Sequence, residues 1–536
     1  MESKKNNKEM FLGTDLGTTT TQVAVLDRTG VVKVLPNMDG ELATQSIISV
    51  ADNKSTAGRA AKPDKFLNPD MVAEQFKKSM DKVTETGKPI IIVISPDGTE
   101  YTPVTLSAEL LRYIKESAEK IEGQEFKKAA ISVPAYFEYR ARQATKDAGL
   151  IAGFEEVLVV DEPTAAATYY GLVKPCKQRI AVFDFGGGTF DISILQVEED
   201  GNIDPIAVDG DPECGGSNID EAMFQQVRKL YEEKGSELSP EKDMAEWLEV
   251  LDECKQAKET LARKDAVVIP LKIGDERTSM EVTYEQLKEY SADVIQILRS
   301  CCQRALDKAG FTPAEIDKVL IVGGSSRLRF VPEIVKDIFG KYPVTDTDPD
   351  LAVAKGNAII AVAHFSDPDQ QINVEGTRYL ASDIKPHQIA ARDLCVAAIT
   401  KREQDDMKEY NVPIIAAGSR LPFGATETFT PIDSHTTAVT VKLIDGKPGE
   451  LSSNYSPLEE AEVEVKPTDE SNNKERIQFK IGMDTEALVS IEVCDKLLKK
   501  PIPIKFRFHS GLSDSDIQQM RTQLESRHKD DSHRDN

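Results

Sequence analysis

The chain has 536 residues, a formal net charge of −25 at pH 7, 40% hydrophobic residues and 29% charged residues. This length exceeds what one hydrophobic core organises, so the sequence predicts two to four domains. The acidic balance excludes nucleic acid and anionic membrane as partners of the surface as a whole, and the sequence has no run of about 18 apolar residues that could span a bilayer.

The amino-terminal segment, residues 1–10, is polar and is predicted to be disordered. It lacks the apolar stretch and the cleavage site of a secretory signal, which favours a cytoplasmic location. The seven cysteines are scattered and form no CxxC pair, so we expect reduced thiols in the core.

Residues 11–368 alternate strand-like runs with amphipathic helical stretches, which predicts an α/β domain. Two segments of this region resemble each other, FLGTDLGTTTTQVAVLD from Phe11 and AVFDFGGGTFDISILQV from Ala181. Each has an apolar run, an aspartate (Asp15 or Asp184), a glycine turn and a second strand. Taken alone, each segment is typical of an ordinary β-hairpin.

The repetition of the hairpin favours a nucleotide site. Two such hairpins in two similar lobes present their turns to each other across a cleft, where backbone N–H groups cradle phosphates. Asp15 and Asp184 precede the turns, where a carboxylate holds a water of a hydrated Mg²⁺. Neither a Walker sequence nor a GxGxxG turn that opens a helix occurs, so a different phosphate-binding fold is predicted.

A third segment, KVLIVGGSSR, places Gly323 and Gly324 between a buried strand and a helix. Backbone without side chains lets a base or a ribose approach closely at this turn. Arg327 can stack on that base, which makes this segment the predicted nucleoside side of the site.

The pattern of polar and apolar residues changes after the α/β region. Residues 369–390 are mostly polar and are predicted to be an interdomain linker. Residues 391–510 show period-two alternation, which predicts a separate antiparallel β domain. Residues 511–536 predict one short helix, with Ile517, Met520 and Leu524 on one face, and a disordered tail.

The series DLGTT, VPAYF with ARQATKDAG, EPTAAA, DFGGGTFD, and VGGSSR with DPDLAVAKGNA resembles the motifs of the 70-kilodalton heat-shock chaperones, the DnaK-type family, in order and spacing. The resemblance is strong over residues 11–365 and weak over 390–512. It implies an actin-like ATPase with a duplicated two-lobe α/β fold, followed by a mainly antiparallel β-sandwich that grips extended peptides.

The resemblance also implies the site residues. For catalysis it implies Asp15, Lys77 (preferred to the adjacent Lys78), Glu162, Asp184 and Thr189, with Glu162 orienting or activating the attacking water. For Mg²⁺ it implies Asp15, Asp184 and Asp191. For the nucleotide it implies Gly17, Thr18, Thr19, Thr20, Gly186, Gly187, Gly188, Gly215, Gly216, Lys258, Gly323, Gly324, Ser325, Arg327 and Asp350. Pro134 and Arg142 match a pair that relays the nucleotide state to the second domain.

The chain departs from the family pattern at several positions. Lys255 and Ala262 replace a glutamate and a serine on the helix of Lys258, which predicts weaker or faster-exchanging ATP. At about 1.5 Å per residue, the segment after Ser510 cannot build the family's helical lid, so fast and weak client binding is expected.

The resemblance implies an ATP-dependent chaperone-like protein that uses ATP or ADP with Mg²⁺, and K⁺ is a further candidate ion. The implied partners are a J-domain co-chaperone, a nucleotide-exchange factor and unfolded or extended polypeptides. Two alternatives stay open at this point, a small-molecule (sugar) kinase of the same ATPase fold and a regulatory module that binds ATP without hydrolysing it.

Overall fold

The chain forms two compact units in the computed structural model. Unit 1 comprises Met1–Tyr136, Thr145–Pro386 and Leu512–Asn536, and unit 2 comprises Phe137–Ala144 and His387–Gly511. The structure describes residues 9–51, 55–84, 87–173, 176–199, 202–274, 276–344, 348, 351–399, 408–486, 488–498, 504–507 and 512–529.

The strands of unit 1 alternate with its helices along most of the chain. The strands are β1 Leu12–Leu16, β2 Thr20–Leu26, β3 Val32–Leu35, β4 Thr44–Gln45, β5 Ile47–Ser49, β6 Thr56–Ala57, β7 Val72–Glu74, β8 Val93–Ile94, β9 Glu100–Tyr101, β10 Lys128–Val133, β11 Glu156–Asp161, β12 Gln178–Phe185, β13 Phe190–Val197, β14 Asn202–Asp211, β15 Ala266–Ile273, β16 Glu276–Thr283, β17 Lys318–Val322, β18 Gln371–Val374, β19 Thr377–Leu380 and β20 Lys385–Pro386.

The α-helices of the described residues are α1 Asp64–Leu67, α2 Pro103–Glu122, α3 Tyr139–Ile151, α4 Glu162–Val173, α5 Gly216–Glu233, α6 Met244–Leu261, α7 Tyr284–Tyr290, α8 Ala292–Ala309, α9 Phe330–Phe339, α10 Ala352–Phe365 and α11 Asp514–Lys529. Helix α3 begins within unit 2. Among the described residues, none of these helices is both long and apolar enough to cross a membrane.

Two mixed sheets form the centre of unit 1. In the first, the strand order is β11-β10-β1-β2-β3, with β4 also paired to β2. In the second, the order is β17-β12-β13-β14-β20. In each sheet an antiparallel hairpin, β1–β2 or β12–β13, is joined on its first strand by a parallel strand, β10 or β17. The predicted mixed α/β architecture is confirmed at this level.

The second sheet is buried on both faces. Ala181, Phe183 and Phe185 of β12 lie in one hydrophobic cluster, whereas Ile180 and Val182 lie in another. Because successive side chains of a strand point to opposite faces, an almost continuous apolar run is needed to fill both cores. The sequence QRIAVFDF therefore forms a central strand and carries Asp184 to its end.

Helices α4 and α10 pack against each other, and most residues of both helices are buried. Gly356 of α10 lies so close to α4 that a Cβ atom added to it would stand 1.9 Å from the carbonyl oxygen of Ala165. Backbone cannot move aside as a side chain can, so only glycine fits here.

Replacing Gly356 with alanine is expected to destabilise unit 1 by about 2–3 kcal/mol through overpacking. Trp247, the only tryptophan, lies in unit 1 and reports its unfolding in urea by fluorescence. Gly171→Ala in α4 is the matched control, because its added Cβ would meet only the Val197 side chain, at 3.1 Å. A wild-type urea midpoint for Gly356→Ala would contradict this packing.

Part of the polar segment 369–390 is ordered on unit 1. Strands β18 and β19 form an antiparallel hairpin, and Ile372 and Val374 of this hairpin are buried. The Tyr379 hydroxyl donates to the Leu172 carbonyl oxygen at 2.6 Å. Beyond the hairpin, β20 adds a parallel edge strand to β14.

Helix α11 also packs within unit 1. Ile517, Met520 and Leu524 lie on its less exposed face, and Leu524 is buried. The Arg521 guanidinium donates to the carbonyl oxygens of Gly153 and Phe154, each at 3.2 Å. The face predicted from the sequence is therefore the face that packs.

Unit 2 contains two antiparallel sheets. Their strands are β21 Leu394–Ala398, β22 Tyr410–Ile415, β23 Phe423–Phe429, β24 Ala438–Asp445, β25 Glu459–Glu464, β26 Ile477–Met483, β27 Val489–Asp495 and β28 Ile504–Arg507. The orders are β22-β21-β24-β25 and β23-β26-β27-β28. Alternate residues of both sheets, such as Leu443 and Ile491, share one hydrophobic core, as the period-two pattern predicts.

The start of α3 belongs to this second unit. Tyr139 is buried in the same core, and its hydroxyl donates to the Arg392 carbonyl oxygen at 2.6 Å. The Arg392 guanidinium bonds Asp445 at 2.7 Å and pairs with Glu138 at 3.1 Å.

Candidate nucleotide site

The first glycine turn joins β1 to β2. A Cβ atom added to Gly17 would lie 2.1 Å from the Thr20 carbonyl oxygen, so the tight turn requires glycine. Ser46 supports the turn from outside, because its hydroxyl donates to the Gly17 carbonyl oxygen and its N–H donates to that of Thr19, both at 2.8 Å. Asp15 stands at the entry to the turn, opposite Gln22 in the hairpin register.

The second glycine turn joins β12 to β13. The Gly186 N–H donates to the Thr189 carbonyl oxygen at 3.1 Å, which closes the turn. Asp184 and Asp191 are direct partners across the hairpin, one on each strand. Both carboxylates are buried.

The two turns lie against each other. A Cβ atom added to Gly187 would stand 2.2 Å from Thr19 Cγ2, and one added to Gly188 would stand 2.6 Å from Thr18 Cγ2. The glycines therefore lack side chains where the threonines of the first turn approach. The facing arrangement expected from the repeated hairpins is present.

The loop before α5 and the first residues of that helix are fixed to the second turn. The N–H groups of Gly216 and Ser217 donate to the carbonyl oxygens of Gly186 and Gly187, at 3.0 and 2.8 Å. A Cβ atom on Gly215 would lie 2.5 Å from the Gly188 backbone. The loop and the turn form one backbone surface that needs glycine on both sides.

The residues predicted to hold the nucleoside adjoin this loop. The Lys258 ammonium donates to the Gly216 carbonyl oxygen at 3.0 Å and pairs with Asp220 at 2.8 Å. A Cβ atom on Gly216 would lie 2.2 Å from Ser325 Oγ. Sequence reasoning missed Asp220, because nothing in the helical pattern of α5 distinguishes it from a surface aspartate.

The β17 turn brings the third glycine pair to the second hairpin. Gly323 has φ of 83°, and a Cβ atom on it would lie 2.8 Å from an Asp184 carboxylate oxygen. Gly324 has open space around it, and the half-exposed Arg327 pairs with Asp348 at 3.2 Å. Asp350 lies outside the described residues.

One lysine bonds the central glutamate. The Lys77 ammonium donates to a Glu162 carboxylate oxygen at 2.7 Å, and both residues are buried, with relative exposures of 3% and 7%. Glu162 is the first residue of α4, directly after β11. Glu162 is therefore not an exposed glutamate at a helix start.

A comparison with known protein families identifies the family of this chain. The family model described as Hsp70 protein matches residues 11–536. The chain belongs to the Hsp70 family. Members of this family are in general ATPases that bind ATP or ADP with Mg²⁺, and they work with J-domain proteins, nucleotide-exchange factors and unfolded clients.

The acidic residues of this Hsp70 site lie close enough to raise one another's pKa. Burial, and then the charges of Glu162, Asp191 and Asp15, raise the pKa of Asp184 well above its ordinary value. Burial and the charge of Glu162 raise the pKa of Asp191 to about 8, although the Tyr136 N–H bonds its carboxylate at 3.1 Å. Several carboxylates with one buried lysine among them fit a site that receives a cation.

The geometry suits a hydrated ion better than a bare one. Within the part of the chain that the structure describes, no three or more His, Cys, Asp or Glu side chains converge closely enough to hold a metal directly. Mg²⁺ usually keeps several of its waters in nucleotide sites. Asp15, Asp184 and Asp191 have the carboxylate chemistry to hold such an ion through water, and their role in binding Mg²⁺ stays a prediction.

The raised pKa of Asp191 has a consequence for stability. The folded state holds the Asp191 proton up to about pH 8, whereas the unfolded chain releases it near 3.8, so stability falls as pH rises between these values. Asp191→Asn removes this loss and is expected to be more stable than wild type by on the order of 5 kcal/mol at pH 8 without metal.

Urea unfolding followed by Trp247 fluorescence in a chelator checks this at pH 5 and pH 8. The difference between Asp191→Asn and wild type should be larger at pH 8. Asp367→Asn, an exposed aspartate of unit 1, is the control and should show no such change. Equal differences at both pH values would contradict the raised pKa.

The predicted relay pair falls on the two sides of a unit boundary. Pro134 is buried in unit 1, just after β10, and Arg142 is buried in α3 within unit 2. The chain passes from unit 1 to unit 2 between Tyr136 and Phe137. Their part in signalling stays a prediction.

Proposed function

We propose that this Hsp70-family chain is an ATP-dependent chaperone-like protein. It binds and hydrolyses Mg²⁺-bound ATP in unit 1 and couples the nucleotide state to binding of extended polypeptide by unit 2. The observation that carries the proposal is the buried Lys77–Glu162 hydrogen bond of 2.7 Å among the carboxylates of Asp184 and Asp191. We infer further that its two central sheets are the two copies of a duplicated actin-like fold.

Each part of the site has a distinct task in this proposal. Asp15, Asp184 and Asp191 hold the waters of Mg²⁺, which supplies charge neutralisation to the transferring phosphoryl group when bound. The N–H groups of the two glycine turns, with Thr18, Thr19 and Thr189, bind the phosphates. Lys258, Ser325 and Gly324 line the nucleoside side.

Glu162 receives the proton of the attacking water. One of its oxygens accepts from Lys77, and the other has no hydrogen bond from a described residue. That second oxygen is able to orient a water and accept its proton, while Lys77 fixes the carboxylate and adds positive charge near the γ-phosphate. Burial of both groups limits the paths by which bulk water could replace the positioned one.

The client side of the proposal rests on unit 2. Its two antiparallel sheets share one core, and family membership supports a polypeptide-binding role. The helix that follows these sheets in sequence, α11, packs within unit 1. Weak and fast client binding stays an expectation. J-domain and exchange-factor partners are proposed on family membership alone.

Hydrolysis assays on the full chain test the proposal. Phosphate release from Mg²⁺-bound ATP is measured alone, with a J-domain protein, and with that protein plus an apolar peptide. The expected result is slow basal hydrolysis that both additions accelerate. Peptide release is followed by fluorescence anisotropy in ATP and ADP. A rate that ignores both additions would count against chaperone coupling, and phosphorylation of a sugar library would favour the kinase alternative.

A further inference from the structure

We propose that Lys78 is a second phosphate-binding cation, which contacts the nucleotide's polyphosphate at the second glycine turn. The inference deepens the proposed function and rests on it. Lys77, its neighbour, bonds the glutamate of the hydrolytic centre. The two consecutive lysines therefore have different roles, Lys78 in nucleotide binding and Lys77 in hydrolysis.

A short 3₁₀ helix, Phe76–Ser79, presents both lysines. With three residues per turn, consecutive side chains of such a helix point about 120° apart. Lys77 reaches Glu162, whereas the Lys78 side chain lies over Gly188, where a Cβ atom added to the glycine would stand 2.3 Å from Lys78 Cε. The same Cβ atom would stand 2.6 Å from Thr18 Cγ2. Lys78 therefore lies where the two phosphate turns meet.

Lys78 has no partner at this place within the described part of the chain. Among the described residues its ammonium forms no hydrogen bond and has no carboxylate oxygen within 4.0 Å. Burial lowers the pKa of Lys78, and the more distant charge of Glu213 only partly offsets this. A half-buried ammonium without a partner costs free energy, and an anion between the turns would remove that cost.

The charges of the site point to the same ligand. Lys77 is balanced by its hydrogen bond with Glu162. A triphosphate that carries one Mg²⁺ keeps a net negative charge and needs a further cation. Lys78 is the adjacent ammonium, and among the residues that the structure describes no carboxylate forms an ion pair with it.

Calorimetric binding of ATP, ADP and adenosine to the full chain, with Mg²⁺, tests the inference. Lys78→Met is expected to weaken ATP and ADP binding about 10-fold, the effect of losing one charge-assisted contact, with adenosine affinity unchanged. Lys78→Arg should recover most of the affinity. Lys82→Met, an exposed lysine four residues on, is the matched control and should bind like wild type.

The outcomes separate the inference from the proposed function. If wild type and Lys78→Met bind ATP equally, or if Lys78→Met loses adenosine as strongly as ATP, the phosphate role is overturned while ATP binding by the chain stands. If wild type itself binds no ATP, the proposed function and the inference both fail. Lys77→Met gives the opposite split, with slower single-turnover hydrolysis and nearly retained ADP affinity.

Discussion

Replacing Glu162 with glutamine is expected to slow single-turnover ATP hydrolysis by about 10²- to 10⁴-fold. Glutamine keeps the shape and the hydrogen bond to the Lys77 ammonium but cannot accept a proton from water. ATP affinity should stay within about threefold of wild type, because the glycine turns and the nucleoside residues are unchanged. The measurement is the rate of phosphate formation with enzyme in excess over labelled ATP.

The control for this experiment is Glu156→Gln, an exposed glutamate at the start of β11, the strand that ends just before Glu162. It should hydrolyse ATP at the wild-type rate. A Glu162→Gln variant that also does so would eliminate Glu162 as the residue acting on water. A variant that loses ATP binding would mean that the Lys77–Glu162 pair shapes the site instead.

Replacing Lys258 with methionine is expected to destabilise unit 1 by about 3–5 kcal/mol, because Asp220 would be left buried without its cation. Burial already raises the pKa of Asp220 although Lys258 is beside it. Adenosine binding should weaken as well, since Lys258 adjoins Gly216 and Ser325. Urea unfolding by Trp247 fluorescence measures the first effect, and calorimetry measures the second.

A double variant separates the two roles of Lys258. Lys258→Met with Asp220→Asn should regain most of the lost stability, because the buried charge is gone. Its adenosine affinity should stay low, because the ammonium is still missing. Recovery of both properties would mean that Lys258 supports the fold and does not contact nucleoside. Wild-type stability of the single variant would contradict the buried pair itself.

Local signals explain how much of the fold was predictable. The hairpins β1–β2 and β12–β13 follow from alternating apolar residues and glycine turns that lie within one stretch of chain. Helix α4 is buried on nearly every side, so its apolar residues are not confined to one face. Its position therefore could not be predicted from helical periodicity. The hairpin β18–β19 lies in a polar segment, where the buried Ile372 and Val374 and the Tyr379 hydrogen bond to Leu172 attach it to unit 1.

Contacts between distant segments explain what sequence patterns left open in the site. The repeat indicated that two turns face each other, but not that Thr19 meets Gly187 and Thr18 meets Gly188. Lys77 was assigned by family resemblance, and only the fold shows its bond to Glu162. Ser46 and Asp220 carry no local signature, since their roles depend on partners elsewhere in the chain.

In the proposed function, the facing turns hold Mg²⁺-bound ATP beside a glutamate that activates the attacking water. Single-turnover reaction of γ-labelled ATP with an excess of the full chain tests this most directly. We expect conversion of bound ATP to ADP and free phosphate that requires Mg²⁺ and stops on chelation. Recovery of intact ATP from the bound state after prolonged incubation would contradict it and would leave a module that binds the nucleotide only as a ligand.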